Sequence, residues 1–271
     1  MKYRFNIIFA LSLIGLFLGC ANVFAEISEP EREQLKQEII DQLMQSDSLK
    51  QKIMDEIKLH ETQKSIQGRD TAQQRTIVQN QIQTKLRPVA LERDRLYGNA
   101  DALISVVEFA DFDCPYCRKI HPVLKRLVDD SGGTINWVFR HFPISGHKPN
   151  AEREAEAAEC AGDLTGQQGF WKFTNALFLQ ARRGVSDSQA IIDRALVHAE
   201  IDKEDLLACL NAGKFKDKVK QDEDEALALG LQGTPANVLI NHKTGQVVFR
   251  QGAASLETLS VDVDQLLGKS H

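Results

Sequence analysis

The sequence predicts an α/β fold with a block of helices set inside it and a helical arm in front. Three observations predict it. An apolar, β-branched run from Leu103 to Phe109 reads as a buried strand, and the residues after it repeat at helical spacing. A second strand, Ile135 to Phe139, and a strand pair, Asn237 to Ile240 with Val247 to Arg250, bracket a stretch from about Asn150 to Gly230 that is helical throughout. The residues from Ser28 to about Arg87 differ from both, with narrow apolar stripes and much glutamine.

The chain of 271 residues can hold one sizeable domain and an appendage. A net charge of −5 without a basic cluster argues against a nucleic-acid partner. At the N-terminus, Lys2 and Arg4 precede an apolar run from Phe5 to Gly19, and Val23-Phe24-Ala25 offers a small-residue cleavage site. The run is short for a membrane span, so 1–25 reads as a secretory signal and the mature chain starts at Glu26. Phe17-Leu18-Gly19-Cys20 also resembles a bacterial lipoprotein signal, which would acylate Cys20; ordinary cleavage removes that residue. Export leaves Cys114, Cys117, Cys160 and Cys209 in an oxidising compartment.

Residues 26–95 read as a helical arm and linker. Pro30 fits a first helical turn, with Glu31 and Glu33 near its positive end. Leu35, Ile39, Ile40, Leu43 and Met44 form one stripe, and Leu49, Ile53, Met54 and Ile57 a second after Ser46-Asp47-Ser48. Ile66, Ile77, Val78, Ile82 and Leu86 are too sparse to make a core of their own. Such stripes must be buried on something, either the chain's own domain or the same arm of another subunit, and self-association is the preferred expectation. Arg87-Pro88 marks the end.

The chemistry sits at Cys114-Pro115-Tyr116-Cys117. Ile120, Val123, Leu124, Leu127 and Val128 lie on one helical face, so Cys114 begins a helix and Cys117 lies one turn in. Backbone N–H groups and the helix dipole favour a thiolate there, and a second sulfur one turn on can resolve a mixed disulfide. Half a zinc site has the same spacing, and Arg118 in place of His speaks against haem attachment. The strand before and helix after point to a thioredoxin-like redox site. No cofactor is called for. Glu108, in the strand, is either a buried carboxylate able to relay the proton of the resolving cysteine or an exposed edge residue.

Leu96 to Ala102 reads as a loop leading into the first strand, and Pro122 should kink the following helix without ending it. Ser131-Gly132-Gly133 closes that helix. Ala151, Ala155, Ala158 and Cys160 begin a small-residue helix, Phe170-Trp171-Lys172-Phe173 an aromatic one, and Leu206, Leu207 and Leu210 surround Cys209. Cys160 and Cys209, the even remainder, form a second bridge or stay as two buried thiols. Gly162, Gly166 and Gly169 follow no strand, so they make no phosphate loop. His121, His141 and His147 share no ligand spacing, which leaves them core or surface roles and no metal site. Gly233-Thr234-Pro235 opens the third strand in a way compatible with a cis bond, and Thr244-Gly245 turns the chain into the fourth.

Val107-Glu108-Phe109, Cys114-Pro115-Tyr116-Cys117, Arg140-His141-Phe142-Pro143 and Gly233-Thr234-Pro235, in that order, resemble the DsbA-like thiol-disulfide oxidoreductases. The resemblance implies a thioredoxin fold over 96–271 with a helical insertion at about 149–230. With the arm in front, the chain resembles the oligomeric ScsC-like members and the dimeric DsbA-type proteins of the outer membrane. It implies Cys114 as attacking thiolate, Cys117 as resolving thiol, and Pro235 as the cis-proline facing them. Thr234 would offer backbone contacts to an extended substrate, Glu108 would be the acidic residue behind the site, and Cys160 would pair with Cys209. Pro115-Tyr116 with Thr234 looks more like isomerase-type members than the strongest oxidases. The implied protein is a periplasmic dimer or trimer, outer-membrane associated in some of the members it resembles, acting on cysteines of exported proteins with a membrane redox partner. A holdase chaperone, or a copper(I) binder using the same two thiolates, is the alternative.

Overall fold

The computed structural model describes residues 28–45, 51, 54–58, 61, 76–180 and 187–269; the expected signal segment with Cys20, and much of the arm, lie outside them. The chain divides into two compact units, Met1–Asp70 and Thr71–His271.

In the first unit, helix α1 (Glu29–Gln45) starts on a capping arrangement, the Ser28 N–H and hydroxyl both donating to Glu31 Oε2 at 3.0 and 2.7 Å. Further helical positions occur at 51, 54–58 and 61. Leu35, Met54 and Ile57, all from the expected stripes, are exposed.

The second unit opens with helix α2 over 76–85. A one-sided helix needs a surface, and α2 finds it on the sheet: Val78 and Ile82 are buried with Val107, Phe109, Leu229 and Val238. Strands β1 (Arg95–Gly98) and β2 (Ile104–Ala110) follow, then helix α3 (Pro115–Asp129) and strand β3 (Ile135–His141). Helices α4 (Asn150–Leu179), α5 (Ser188–Ala199), α6 (Lys203–Asn211) and α7 (Lys216–Ala228) make up the block. Strands β4 (Ala236–Asn241) and β5 (Val247–Gln251) and helix α8 (Leu256–Leu266) complete the fold.

The sheet order is β1-β3-β2-β4-β5. β2 and β3 run parallel, joined by α3, and every other pairing is antiparallel. All seven residues of β2 are buried because both faces are covered. Ile104, Val106 and Ala110 face the core shared with α3 and the helical block, while Val107 and Phe109 face the side covered by α2.

The loop expected at Leu96 to Ala102 begins instead as β1, with Leu96 opposite Val138 and Tyr97 opposite Trp137. Four residues are too few to show a strand period, and Gly98, at φ 100°, ends it. A Cβ at Gly98 would lie 2.7 Å from Val128 Cγ1, so glycine also admits the close approach of α3. Pro122 sits inside α3 with the helix continuous around it. The two helices expected from Ala151 to Phe173 are one element interrupted at Gly166, whose φ of 74° leaves helical geometry.

Arg140 anchors the start of this unit. Fully buried on β3, its guanidinium donates to Asp94, to Glu225 and to the carbonyls of Arg87 and Pro88. Arg87 in turn donates to Glu225 and Asp222 on α7. Leaving one such buried charge without its partner costs about 3–5 kcal/mol, so residues 87–94 are integral to this unit.

Candidate active site

α3 begins where β2 leaves the sheet. Cys114 is its N-cap with extended backbone (φ −72°, ψ 120°), and Pro115 occupies the first turn, where no backbone donor is needed. The Cys114 N–H donates to the Asp111 carbonyl at 3.1 Å, and Phe112 anchors the intervening loop by packing on Phe139 and Phe178 at 5.4 and 5.0 Å between ring centres. Cys117 is fully buried and Cys114 nearly so, whereas Tyr116 between them is 62 % exposed. Both sulfurs are free thiols in this structure.

Their electrostatics diverge. A hydrogen bond from the Cys117 thiol pulls Cys114 down to about 5; burial opposes this, and Thr234 and the N–H groups of Cys117 and Tyr116 assist. Burial pushes Cys117 well above 9.0, reinforced by that same donated bond and by Glu108. As a thiol, Cys114 donates to the Thr234 carbonyl at 3.3 Å. The Thr234 side chain favours the Cys114 thiolate, and its Oγ1 is buried with no other hydrogen-bond partner among the described residues. The Thr234–Pro235 peptide is cis, and Pro235 is buried beside this contact.

Glu108 is fully buried, so the exposed-edge alternative does not hold. It projects to the same side of the sheet as Trp137, whose Nε1 donates to Glu108 Oε2 at 3.1 Å, while Oε1 has no partner. Burial pushes Glu108 up to about 8; the Trp137 bond moderates this and the Cys114 charge adds to it. A carboxyl that is protonated at neutral pH thus shares a low-dielectric pocket with the Cys117 sulfur.

The three histidines lie apart. His121, on α3, shares a 2.5 Å hydrogen bond with Asn175 Oδ1, and burial lowers it to about 4, so it is neutral. His141 pairs with Glu159 at 2.9 Å and His147 with Asp111 at 2.9 Å. Among the described residues no three His, Cys, Asp or Glu side chains gather as metal ligands. Cys160 on α4 and Cys209 on α6 are bonded to each other, with Cα atoms 5.9 Å apart, which settles the alternative of two free thiols. The sequence pattern alone marks neither Trp137 nor Asp111 as part of the site. Asp111 has a local signal, an acidic residue three before Cys114; Trp137 has none, since only the sheet register brings it to Glu108.

The thioredoxin family model matches residues 90–260. Pseudomonas aeruginosa DsbA2 superposes with a TM-score of 0.56 at 31 % identity, covering 66 % of this chain and 97 % of that one. The chain belongs to the thioredoxin family, among its DsbA-like members. The thiol-disulfide exchange protein alpha-DsbA2 of Wolbachia pipientis is similar at 25 % identity, with a TM-score of 0.57 over 73 % of this chain and 98 % of that one. A linker-deletion variant of Proteus mirabilis ScsC shares the fold at 16 % identity, with a TM-score of 0.56 over 90 % of this DsbA-like chain and 99 % of its own. Among curated relatives, a Na(+)/H(+) antiporter NhaA of Mycolicibacterium gilvum is 30 % identical over 158 residues, which are 58 % of this chain and 25 % of the antiporter. The chain therefore spans about a quarter of the length of such relatives. Among the described residues, no helix is long and apolar enough to cross a membrane.

Proposed function

We propose that this chain is a thiol-disulfide oxidoreductase that forms or isomerises disulfides in exported proteins through Cys114 and Cys117. The observation that carries the reading is the opposite character of two sulfurs one helical turn apart. Cys114 is held at about 5 and is a thiolate at neutral pH, while Cys117 stays protonated. In the oxidising direction a client thiolate attacks Cys114 Sγ of the bonded pair. The S–S bond breaks, and Cys117 leaves as a thiolate and takes a proton that Glu108 can supply. A second client thiolate then attacks the client sulfur of the mixed disulfide and expels Cys114 as a thiolate. Two electrons pass from client to enzyme, and the low pKa of Cys114 favours that last departure.

In the isomerising direction the Cys114 thiolate opens a client disulfide, and another client thiolate closes a new one without net electron transfer. Tyr116 and Thr234 favour including this direction, and Pro235 with Thr234 presents the backbone on which an extended client segment would lie. We place the protein in the periplasm, on the strength of the leader at 1–25, and at the outer membrane if Cys20 is acylated. A membrane redox partner would reoxidise the pair. The segment ahead of Thr71, with its stripes of Leu35, Met54 and Ile57 exposed, is the part of the arm proposed to assemble a dimer or trimer.

A Cys117→Ser chain tests the reading by trapping. It should accumulate mixed disulfides with cysteine-bearing clients that reductant releases, and a Cys114→Ala, Cys117→Ser chain should accumulate none. Absence of any trapped adduct from Cys117→Ser would overturn the reading and return the chain to the chaperone class. For the arm, truncation must stop before Thr71, because a cut at Arg87 would remove Val78, Ile82 and the Arg87 ion pairs. Loss of scrambled-substrate refolding on that truncation, with dithiol oxidation retained, is the result expected of an assembling isomerase.

A further inference from the structure

Resting on that reading, we infer that Asp111 is a positioning residue for the exchange reaction, clamping the loop that carries Cys114 to the β3–α4 loop through Ile144 and His147. Asp111 is 2 % exposed, and among the described residues its carboxylate accepts from two backbone N–H groups and a histidine. A carboxylate so buried is retained only where donors meet both its oxygens. Oδ1 accepts the Asp113 N–H at 2.7 Å; Oδ2 accepts the Ile144 N–H and His147 Nδ1, each at 2.9 Å. The first bond shapes the turn into α3. The other two reach across to the short 3-10 turn Ser145–His147, which follows β3.

The backbone of the same residue touches both sulfur-bearing residues. Its carbonyl accepts the Cys114 N–H at 3.1 Å, and its backbone favours the ionised Cys117 sulfur against the burial that raises that thiol. Neither β2 nor α3 fixes Asp111 to Asp113, which lie between them. With Phe112 packed beneath it, the turn is held on its polar side by the carboxylate, and through the turn the distance from Cys114 Sγ to the Thr234 carbonyl and to the first N–H groups of α3. Loss of the clamp would let the sulfur leave the donors that stabilise its thiolate.

An amide cannot substitute. Both oxygens face N–H donors, so Asp111→Asn sets an NH2 against either Asp113 or the Ile144 and His147 pair, whichever way it turns. His147 offers the milder probe, since its side chain is 28 % exposed. His147→Ala removes one donor, whereas His147→Asn presents an NH2 near the Nδ1 position.

The test is a thiolate absorbance titration of each reduced full-length variant, with the pH dependence of its rate of attack on a small aromatic disulfide. Asp111→Asn should raise the Cys114 midpoint by about one unit or more, and the pH at which the attack reaches half its maximal rate should rise with it. His147→Ala should move both in the same direction by less, and His147→Asn should recover part of that loss. A purely structural role would lower the melting temperature of these variants and leave midpoint and rate in place; that result would overturn the inference. If Asp111→Asn does not fold, the two His147 variants decide alone, equal midpoints for Ala, Asn and the parent counting against it. Inactivity of the parent chain itself would instead sink the oxidoreductase reading.

Discussion

Two pairs of cysteines in one chain share an element and differ in everything around it. Cys114 and Cys117 lie three residues apart at a helix N-terminus, where backbone N–H groups, the Thr234 carbonyl and Glu108 meet the sulfurs. Cys160 and Cys209 lie 49 residues apart on two packed helices, and Phe170, Leu206 and Leu210 belong to the same apolar cluster. The first environment stabilises one thiolate and so makes an S–S bond there easy to open. The second offers its sulfurs an apolar surrounding, and the bond closes a long loop, which in the chain-entropy account contributes about 4 kcal/mol. Sulfur chemistry is set here by the donors around each atom.

The sharpest way to break this contrast is to exchange the consequences of the two deletions. Cys114→Ala should reduce disulfide exchange to the uncatalysed level while changing the melting temperature little at pH 5, where the thiolate contributes little stability. Cys160→Ala with Cys209→Ala should do the reverse. It should lower stability by about 2–4 kcal/mol, a fall of roughly 5–15 °C in melting temperature, with exchange by Cys114 retained below the transition. Calorimetry and a dithiol-oxidation assay on both variants check the pair.

A pH series sharpens it further. Glu108 has a folded value of about 8 against 4.5, so the native chain holds its proton where the unfolded chain has released it. That contribution destabilises progressively as pH rises from 4.5 to about 8. Cys114 acts with the opposite sign: its folded value of about 5 against 9.0 contributes stability that grows as pH rises from about 5 to 9.0 and is lost on acidification. Denaturation of the reduced chain should therefore vary little with pH across neutrality. Glu108→Gln should make it more stable than the parent at pH 8, on the order of 1–3 kcal/mol, and leave a rising slope. A parent whose stability falls steeply from pH 6 to 8 would show that the thiolate lacks the stabilisation described. The Cys160–Cys209 pair does not titrate, and its removal should leave the slope unaltered.

The smallest effect is expected at Thr234. Thr234→Val removes the hydroxyl that assists the Cys114 thiolate and keeps the carbonyl contact, so the Cys114 titration should rise by less than one unit, read by thiolate absorbance.

Much of this site was legible in the sequence because it is local. The run into Cys114, the apolar face from Ile120 to Val128 and the Thr234-Pro235 dipeptide each carry their own pattern within a few residues. The Trp137 bond to Glu108 is not local: it depends on β2 and β3 lying side by side, and a strand pattern does not say which face holds a carboxylate when both faces are buried. β1 is not legible in the sequence because four residues give no alternation. The 76–86 stretch read as sparse because its few apolar residues are completed by α7, β4 and β5, far along the chain.

The most direct measurement is the thiolate absorbance of the fully reduced chain as a function of pH. One sulfur should ionise with a midpoint near 5, vanish in Cys114→Ala, and be followed by no second ionisation below pH 9. A first midpoint above pH 8, or two sulfurs ionising together, would contradict the account.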